Sequence, residues 1–251
     1  MKFAVIQERK SPPDRRVVLD PVSCKKLLAN FPSAELMIET SPIRVFPDAE
    51  YAKAGLEVVD DVSSADVLIG VKEVPIRALI PNKSYFFFSH TIKKQPYNRD
   101  LLRAILEKNI TLYDHETLVD EHNHRLIGFG YYAGVVGAYN GMRALGLKEH
   151  TFNLPKATTL SGRQELNTEL DNISLSNIKI VLTGTGRVGQ GAKEILDHLK
   201  IKQVSVEDFL NKDFNVLGTF RVFSIILKNL SFFLKTNLFG ARVKNQNKTH
   251  Y

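Results

Sequence analysis

Two ionisable side chains stand where strands run out. Lys72 ends the apolar run Val67–Lys72, and His90 ends the run Tyr85–His90. In sheets built from alternating strands and helices, ligands and chemistry gather at the carboxyl ends of the strands. An imidazole titrates near neutral pH without help, whereas an amine serves as a base only when burial or nearby cations lower its pKa. Together the two suit proton transfer to and from a reacting group. A single lysine at a strand end is more often simple polar punctuation. Two such groups on neighbouring elements point further.

A second constellation serves binding. Gly184, Gly186 and Gly189 have the Gly-x-Gly-x-x-Gly spacing, with Arg187 and Val188 between the last two. An apolar strand, Ile178–Leu182, runs into it and a helix, Val188–Leu199, runs out, which is the context that gives the spacing meaning. Gly184 permits the tight turn, Gly186 lets backbone approach a pyrophosphate, and Gly189 lets the helix lie close to the strand. The helix N-terminus offers unpaired N–H groups to phosphates. Val204–Asp208 is predicted as the next strand, with Asp208 at its end to bind the adenosine ribose, and Glu207 competing for that role. An acid there favours NAD over NADP, whose extra phosphate it would repel.

The elements that must hold these groups alternate along the chain. Lys2–Gln7, Leu36–Glu39, Leu56–Val59, Val67–Lys72, Tyr85–His90 and Ile110–Tyr113 read as strands. Pro21–Asn30 reads as a helix with Asp20 as N-cap and Pro21 at its first position. Asn98–Lys108 reads as an amphipathic helix capped by Asn98. Gly130–Gly146 carries small residues at helical spacing, which predicts close approach by another backbone and a helix crossing between domains. Leu154–Asn177 is polar and irregular and is predicted to be a linker or surface excursion. The class is α/β, with two Rossmann-like parallel-sheet domains, the second incomplete. The expected division is residues 1–135 for substrate, 136–213 for a connecting helix, linker and the start of an NAD-binding domain, and 214–251 for an aberrant tail.

Bulk properties exclude several classes. The one cysteine, Cys24, rules out an internal disulfide framework and fits a reducing cytoplasm, and its helical setting predicts a packed thiol. The short apolar run at the N-terminus is not that of a signal peptide. Of the net charge of +7, nearly all comes from Arg221, Lys228, Lys235, Arg242, Lys244 and Lys248, after the last acidic residue, Asp213. The rest is balanced, so nucleic acid is not an expected partner. The same basic residues interrupt any apolar run of membrane length, though an amphipathic helix lying on a surface would tolerate them. His115, His122 and His124 lie near Glu116, Asp120 and Glu121, but in what reads as a solvated surface turn, so no metal site is expected.

The string as a whole resembles the alanine dehydrogenase and transhydrogenase N-terminal superfamily, and within it the lysine-forming saccharopine dehydrogenases. The matching pieces are Arg16–Pro21, Gly70–Pro75, Phe88–His90 with Gln95, Thr111–Glu116, Arg125 with Phe129–Gly134, and the Gly184 loop with Arg187. The likeness covers roughly residues 1–210. It implies oxidative deamination of saccharopine by NAD to lysine and 2-oxoglutarate, with Lys72 and His90 as the acid/base pair. Glu73 and Glu116 would tune them. Arg16 and Arg125 would bind substrate carboxylates, for which a planar guanidinium is suited. Gln95 and Phe129 would line the substrate, and Gly184, Gly186, Arg187, Val188, Gly189 and Asp208 would hold the cofactor.

The pattern departs from the family after Asp208. Phe214–Tyr251 does not read as the remaining strands of a nucleotide domain, so a disruption near Asn215 and weak or absent turnover are expected. An alanine dehydrogenase-like enzyme would use Arg16, Lys72 and His90 equally well. A non-catalytic remnant that binds a ligand through its first domain is the reading from outside the enzymes. The sequence does not indicate an oligomeric state.

Overall fold

The computed structural model describes residues 1–175, 178–211 and 219–223, and of 210 and 219–223 only the backbone. The chain divides into two compact units, Met1–Gly128 and Phe129–Tyr251. No helix among the described residues is long and apolar enough to cross a membrane.

In the first unit, β1 (Lys2–Val5), α1 (Pro21–Asn30), β2 (Glu35–Glu39), α2 (Asp48–Lys53), β3 (Glu57–Val59), β4 (Val67–Lys72), β5 (Ser84–Phe88), α3 (Arg99–Glu107) and β6 (Thr111–Asp114) follow in order. The six strands form one parallel sheet in the order β3-β2-β1-β4-β5-β6. Alternate side chains leave opposite faces of a strand, and both faces here are covered. Ala4, Met37, Leu68, Tyr85 and Phe87 pack with Leu101, Ala104 and Ile105 of α3 on one side. Val5, Leu36 and Ile38 pack with Cys24 of α1 and Tyr51 of α2 on the other. Burial pushes the Cys24 thiol up to about 11, as befits a packing residue. The side chain of Asp20 accepts the Ser23 N–H at 2.6 Å and caps α1 as its sequence predicts. Asn98 precedes α3 without capping it.

The strand order reverses direction between β1 and β4. In open parallel sheets that reversal opens a crevice at the carboxyl ends of the two strands. Lys72 ends β4, and the charged segment Glu8–Lys10 follows β1, so both lie at that crevice.

The second unit holds α4 (Gly130–Glu149), α5 (Arg163–Asp171), β7 (Lys179–Thr183), α6 (Arg187–His198), β8 (Lys202–Gln203), α7 (Val206–Asn211) and β9 (Thr219–Phe223). All of α4 belongs to this unit, packed on α6. A Cβ on Gly134 would lie 1.9 Å from the Val188 carbonyl oxygen, and one on Gly191 would lie 2.0 Å from that of Tyr131. The small residues thus do permit backbone-to-backbone contact.

Residues 154–175 are not a bare linker. Leu154, Leu166 and Leu170 are buried with Val135, Tyr139 and Ile195. The leucine spacing in α5 was obscured by its polar neighbours. The strand expected at Val204–Asp208 is also corrected: β8 stops at Gln203, and Ser205 accepts the Asp208 N–H at 3.0 Å, capping α7. The Ser-x-x-Asp spacing is a helix start, and that local bond outweighs the β-branched pair Val204 and Val206. In the tail, 219–223 pairs in parallel with both β7 and β8, giving the order β7-β9-β8. The expected disruption near Asn215 and the surface helix lie outside the described residues.

Candidate functional site

The site of the first unit is built on the ends of β4, β5 and β6. Lys72 and Phe88 are partners in the parallel ladder, and His90 follows Phe88 by two residues. Lys72 and His90 therefore come from adjacent strands at the same end of the sheet.

His90 is held in an unusual way. Its backbone is left-handed, with φ 58° and ψ 9°, a region costing a non-glycine residue about 1 kcal/mol. Asn98 Nδ2 donates to the His90 carbonyl oxygen at 3.1 Å, which gives that asparagine a role other than capping. One residue earlier, Ser89 donates to the buried Asp114 carboxylate, which also accepts the Glu116 N–H at 2.8 Å. His90 Nδ1 lies 3.0 Å from Glu116 Oε2. Lys93 Nζ, a donor only, stands 3.1 Å from the same Nδ1, so a carboxylate and an ammonium both face that nitrogen and together orient the ring.

Glu116 is the hub. Its side chain is 4% exposed, and Lys93 and Arg125 reach Oε1 at 3.3 and 2.8 Å. Burial raises the acid, but the hydrogen bonds from His90 and Lys93 and the charges of Lys93 and Arg125 outweigh it and hold the carboxyl below its ordinary value. A depressed carboxyl contributes stability that is complete above about 4.5 and is lost as pH falls through the folded value. Glu116→Gln is expected to cost about 2 kcal/mol at neutral pH and to flatten the acid side of the stability curve. Urea titrations across pH read both effects, and an unchanged midpoint would contradict them.

A second cluster surrounds Lys72. Glu8 is buried, and its two oxygens accept the N–H groups of Val71 and Lys72 at 2.6 and 2.9 Å. Burial raises this carboxyl despite those two bonds. Asp14 accepts from Arg16 Nε at 2.9 Å; that bond lowers the acid and raises the guanidinium. Lys10 pairs with Glu73. Among the described residues the Lys72 ammonium forms no ion pair or hydrogen bond, in contrast to Lys10 and Lys93.

The structure therefore brings Lys72, Glu73 and Arg16 into one cluster and His90, Glu116 and Arg125 into another on the neighbouring strand ends. Gln95 is exposed in the turn after His90. Phe129 begins the second unit, at the start of α4. Sequence reasoning missed Glu8, Asp14, Lys93, Asn98 and Asp114. The Glu8–Lys10 run directly after β1 carried a readable signal, because charge at a strand end was already the criterion applied to Lys72. His115, expected in a surface turn, is buried instead. His122 and His124 do lie in an exposed turn, where their N–H groups donate to Asp120.

In the second unit, Gly184 has φ +91°, which favours glycine, and open space lies beside it and Gly186. A Cβ on Gly189 would lie 2.2 Å from the Gly184 carbonyl oxygen. Gly186 caps the N-terminus of α6, with Arg187 and Val188 in its first turn. Such a turn fits a phosphate group: backbone donors, no obstructing side chain, and the positive end of a helix. Asp208 is not at a strand end. It stands with Glu207 in the first turn of α7, just after β8.

The sequence profile of the alanine dehydrogenase/PNT N-terminal domain matches residues 4–136. The chain is 36% identical over 211 residues to the mitochondrial alpha-aminoadipic semialdehyde synthase of Bos taurus, covering 74% of this chain and 22% of that protein. It is 28% identical over 212 residues to saccharopine dehydrogenase (NAD(+), L-lysine-forming) of Yarrowia lipolytica, covering 78% and 57%. The chain thus spans less than a quarter of the first relative and little over half of the second. Among solved structures, an L-alanine dehydrogenase superposes with a TM-score of 0.58 at 20% identity, over 89% of this chain and 61% of that one.

Proposed function

Because this chain belongs to the alanine dehydrogenase/PNT N-terminal domain family, we propose that it serves the oxidative deamination of an amino acid, with saccharopine as substrate and NAD as hydride acceptor. The observation that carries the reading is the placement of Lys72 and His90 on the ends of adjacent strands, the first forming no ion pair among the described residues and the second oriented by Glu116.

NAD, when bound, supplies the hydride acceptor. The chain's own residues handle protons and charge. One proton must leave the secondary amine as it becomes an imine; the protons of the water that adds to the imine must then be passed to the nitrogen, so that the carbon–nitrogen bond breaks and the amine of lysine leaves. Lys72 Nζ and His90 Nε2 are the groups that hold them. Glu116 orients the imidazole through Nδ1. Arg16 and Arg125 take substrate carboxylates in competition with Asp14 and Glu116. Gln95 and Phe129 complete the substrate contacts. In the second unit, Gly184, Gly186, Arg187, Val188 and Gly189 cradle the pyrophosphate. Asp208 cannot act from a strand end. Preference for NAD over NADP is instead assigned to the two carboxylates Glu207 and Asp208, which disfavour an added phosphate near β8. The buried thiol of Cys24 accords with a reducing, cytoplasmic setting.

The test uses the whole chain. Calorimetry with NAD, NADP and saccharopine reads binding, and NADH absorbance reads turnover with saccharopine against alanine. Saturable heat with NAD and saccharopine is expected, with NADH formed only weakly, in keeping with the sequence after Asp208, and from saccharopine only. Oxidation of alanine in preference would move the chain to the alanine-type enzymes. Absence of saturable heat with either dinucleotide would make it a non-catalytic relative.

A further inference from the structure

The end of β4 is irregular directly before Lys72. Its pairing with β5 runs Ile69↔Phe86 and then Lys72↔Phe88, so three steps along β4 match two along β5. The extra residue is accommodated at Gly70 and Val71, and a bulge of this kind breaks the local ladder and re-aims the following side chain.

The Gly70–Val71 peptide group is gripped at both of its polar ends. His115 Nε2 donates to the Gly70 carbonyl oxygen at 3.0 Å. Glu8 Oε1 accepts the Val71 N–H at 2.6 Å, and Oε2 accepts the Lys72 N–H at 2.9 Å. Glu8 arrives from the segment after β1 and His115 from the segment after β6, one from each side of β4 in the sheet order. Gly70 makes room for this, since a Cβ there would lie 3.1 Å from the Ile6 side chain and 3.4 Å from Glu8 Oε1.

His115 is suited to a donor that stays fixed. Its ring lies against Phe86 and Phe88, with centroids 6.2 and 5.2 Å away. Nδ1 is buried and has no partner among the described residues, so the neutral Nε2–H tautomer is the one this environment supports. Burial holds the imidazole below the ordinary histidine value.

We propose that His115 and Glu8 are positioning residues that clamp the Gly70–Val71 peptide and thereby fix the direction of the Lys72 ammonium. The proposal rests on the reading of Lys72 as an acid/base group. Neither side chain touches the reacting atoms.

Three variants test it in the full chain: His115→Phe, which keeps the aromatic volume and removes the donor; His115→Gln, which restores a donor; and Glu8→Gln, which acts from the other side. Hydrogen exchange at the Val71 and Lys72 amides, read by NMR, is expected to speed up roughly tenfold in the first and third variants and to recover in His115→Gln. Acylation of Lys72 by acetic anhydride, mapped by mass spectrometry against Lys108, is expected to change in the same pattern. Saccharopine turnover is expected to fall by roughly tenfold or more with little change in KM. Equal loss of protection throughout β1, β4 and β5 would reduce the role to general stability and overturn the proposal, as would unchanged Lys72 acylation. If the unsubstituted chain does not oxidise saccharopine, the dehydrogenase reading fails, while exchange and acylation still decide the clamp. If His115→Phe does not fold, Glu8→Gln reads the same clamp.

Discussion

Gly134→Ala is expected to destabilise the second unit by about 3 kcal/mol or more, because the opposing atoms are backbone and cannot turn aside. The new methyl would sit 1.9 Å from the Val188 carbonyl oxygen and 2.8 Å from the Ala192 nitrogen. Only separation of α4 from α6 relieves that contact. Gly191→Ala creates the reciprocal collision with Tyr131 and should behave alike. The same helix provides its own controls. Gly137 and Gly141 have nothing within 4 Å of a Cβ, so alanine there should be neutral or should stabilise by up to about 1 kcal/mol through helix propensity. Thermal unfolding followed by circular dichroism separates the two groups. A Gly134→Ala protein that melts with the Gly137→Ala protein would refute the close approach. Val188 lies in the first turn of α6, beside Gly186 and Gly189, so the displaced helix should also lose affinity for NAD.

Lys72→Met is expected to lower saccharopine oxidation by about 10²–10⁴-fold, the range a positioned proton donor or acceptor supplies. Methionine keeps an unbranched stem and removes the charge. Lys72 forms no ion pair among the described residues, so its loss leaves no buried partner uncompensated and the melting temperature should hardly move. The measurements are single-turnover NADH formation and the heat of saccharopine binding, each against the unsubstituted protein. A loss below about tenfold would remove Lys72 from the proton-transfer scheme.

The legibility of this chain followed the range of the forces involved. β4 and β5 were plain because a strand covered on both faces is apolar throughout, and the chain states this within a few residues. Asp20 before Pro21 was equally local. The glycine spacing at Gly184 was readable because backbone conformation and close approach admit few other residues. Burial created by distant segments was not readable. His115 follows an ordinary strand and neighbours exposed histidines; only the sheet order places it beneath Gly70. His90 enters a left-handed turn that no neighbouring glycine announces. Leu166 and Leu170 were outnumbered by polar residues until α4 and α6 covered them. Asp208 failed for the opposite reason. A local signal is present, Ser205 three residues before it, whose hydroxyl accepts the Asp208 N–H and starts a helix where the β-branched neighbours suggest a strand.

The strand order of the second unit bears on when its parts can assemble during synthesis. Every strand of the first sheet lies between Lys2 and Asp114, so that sheet can close before the second begins to emerge. β7 and β8 are not neighbours; each pairs with β9, at Thr219–Phe223. The nascent glycine turn is therefore carried on an unpaired strand until β9 has left the ribosome. Closure over such separations is slow, and exposed strand edges recruit the wrong partners. A chaperone meeting this chain on the ribosome would thus find its substrate between β7 and β9, not in the half that bears Lys72.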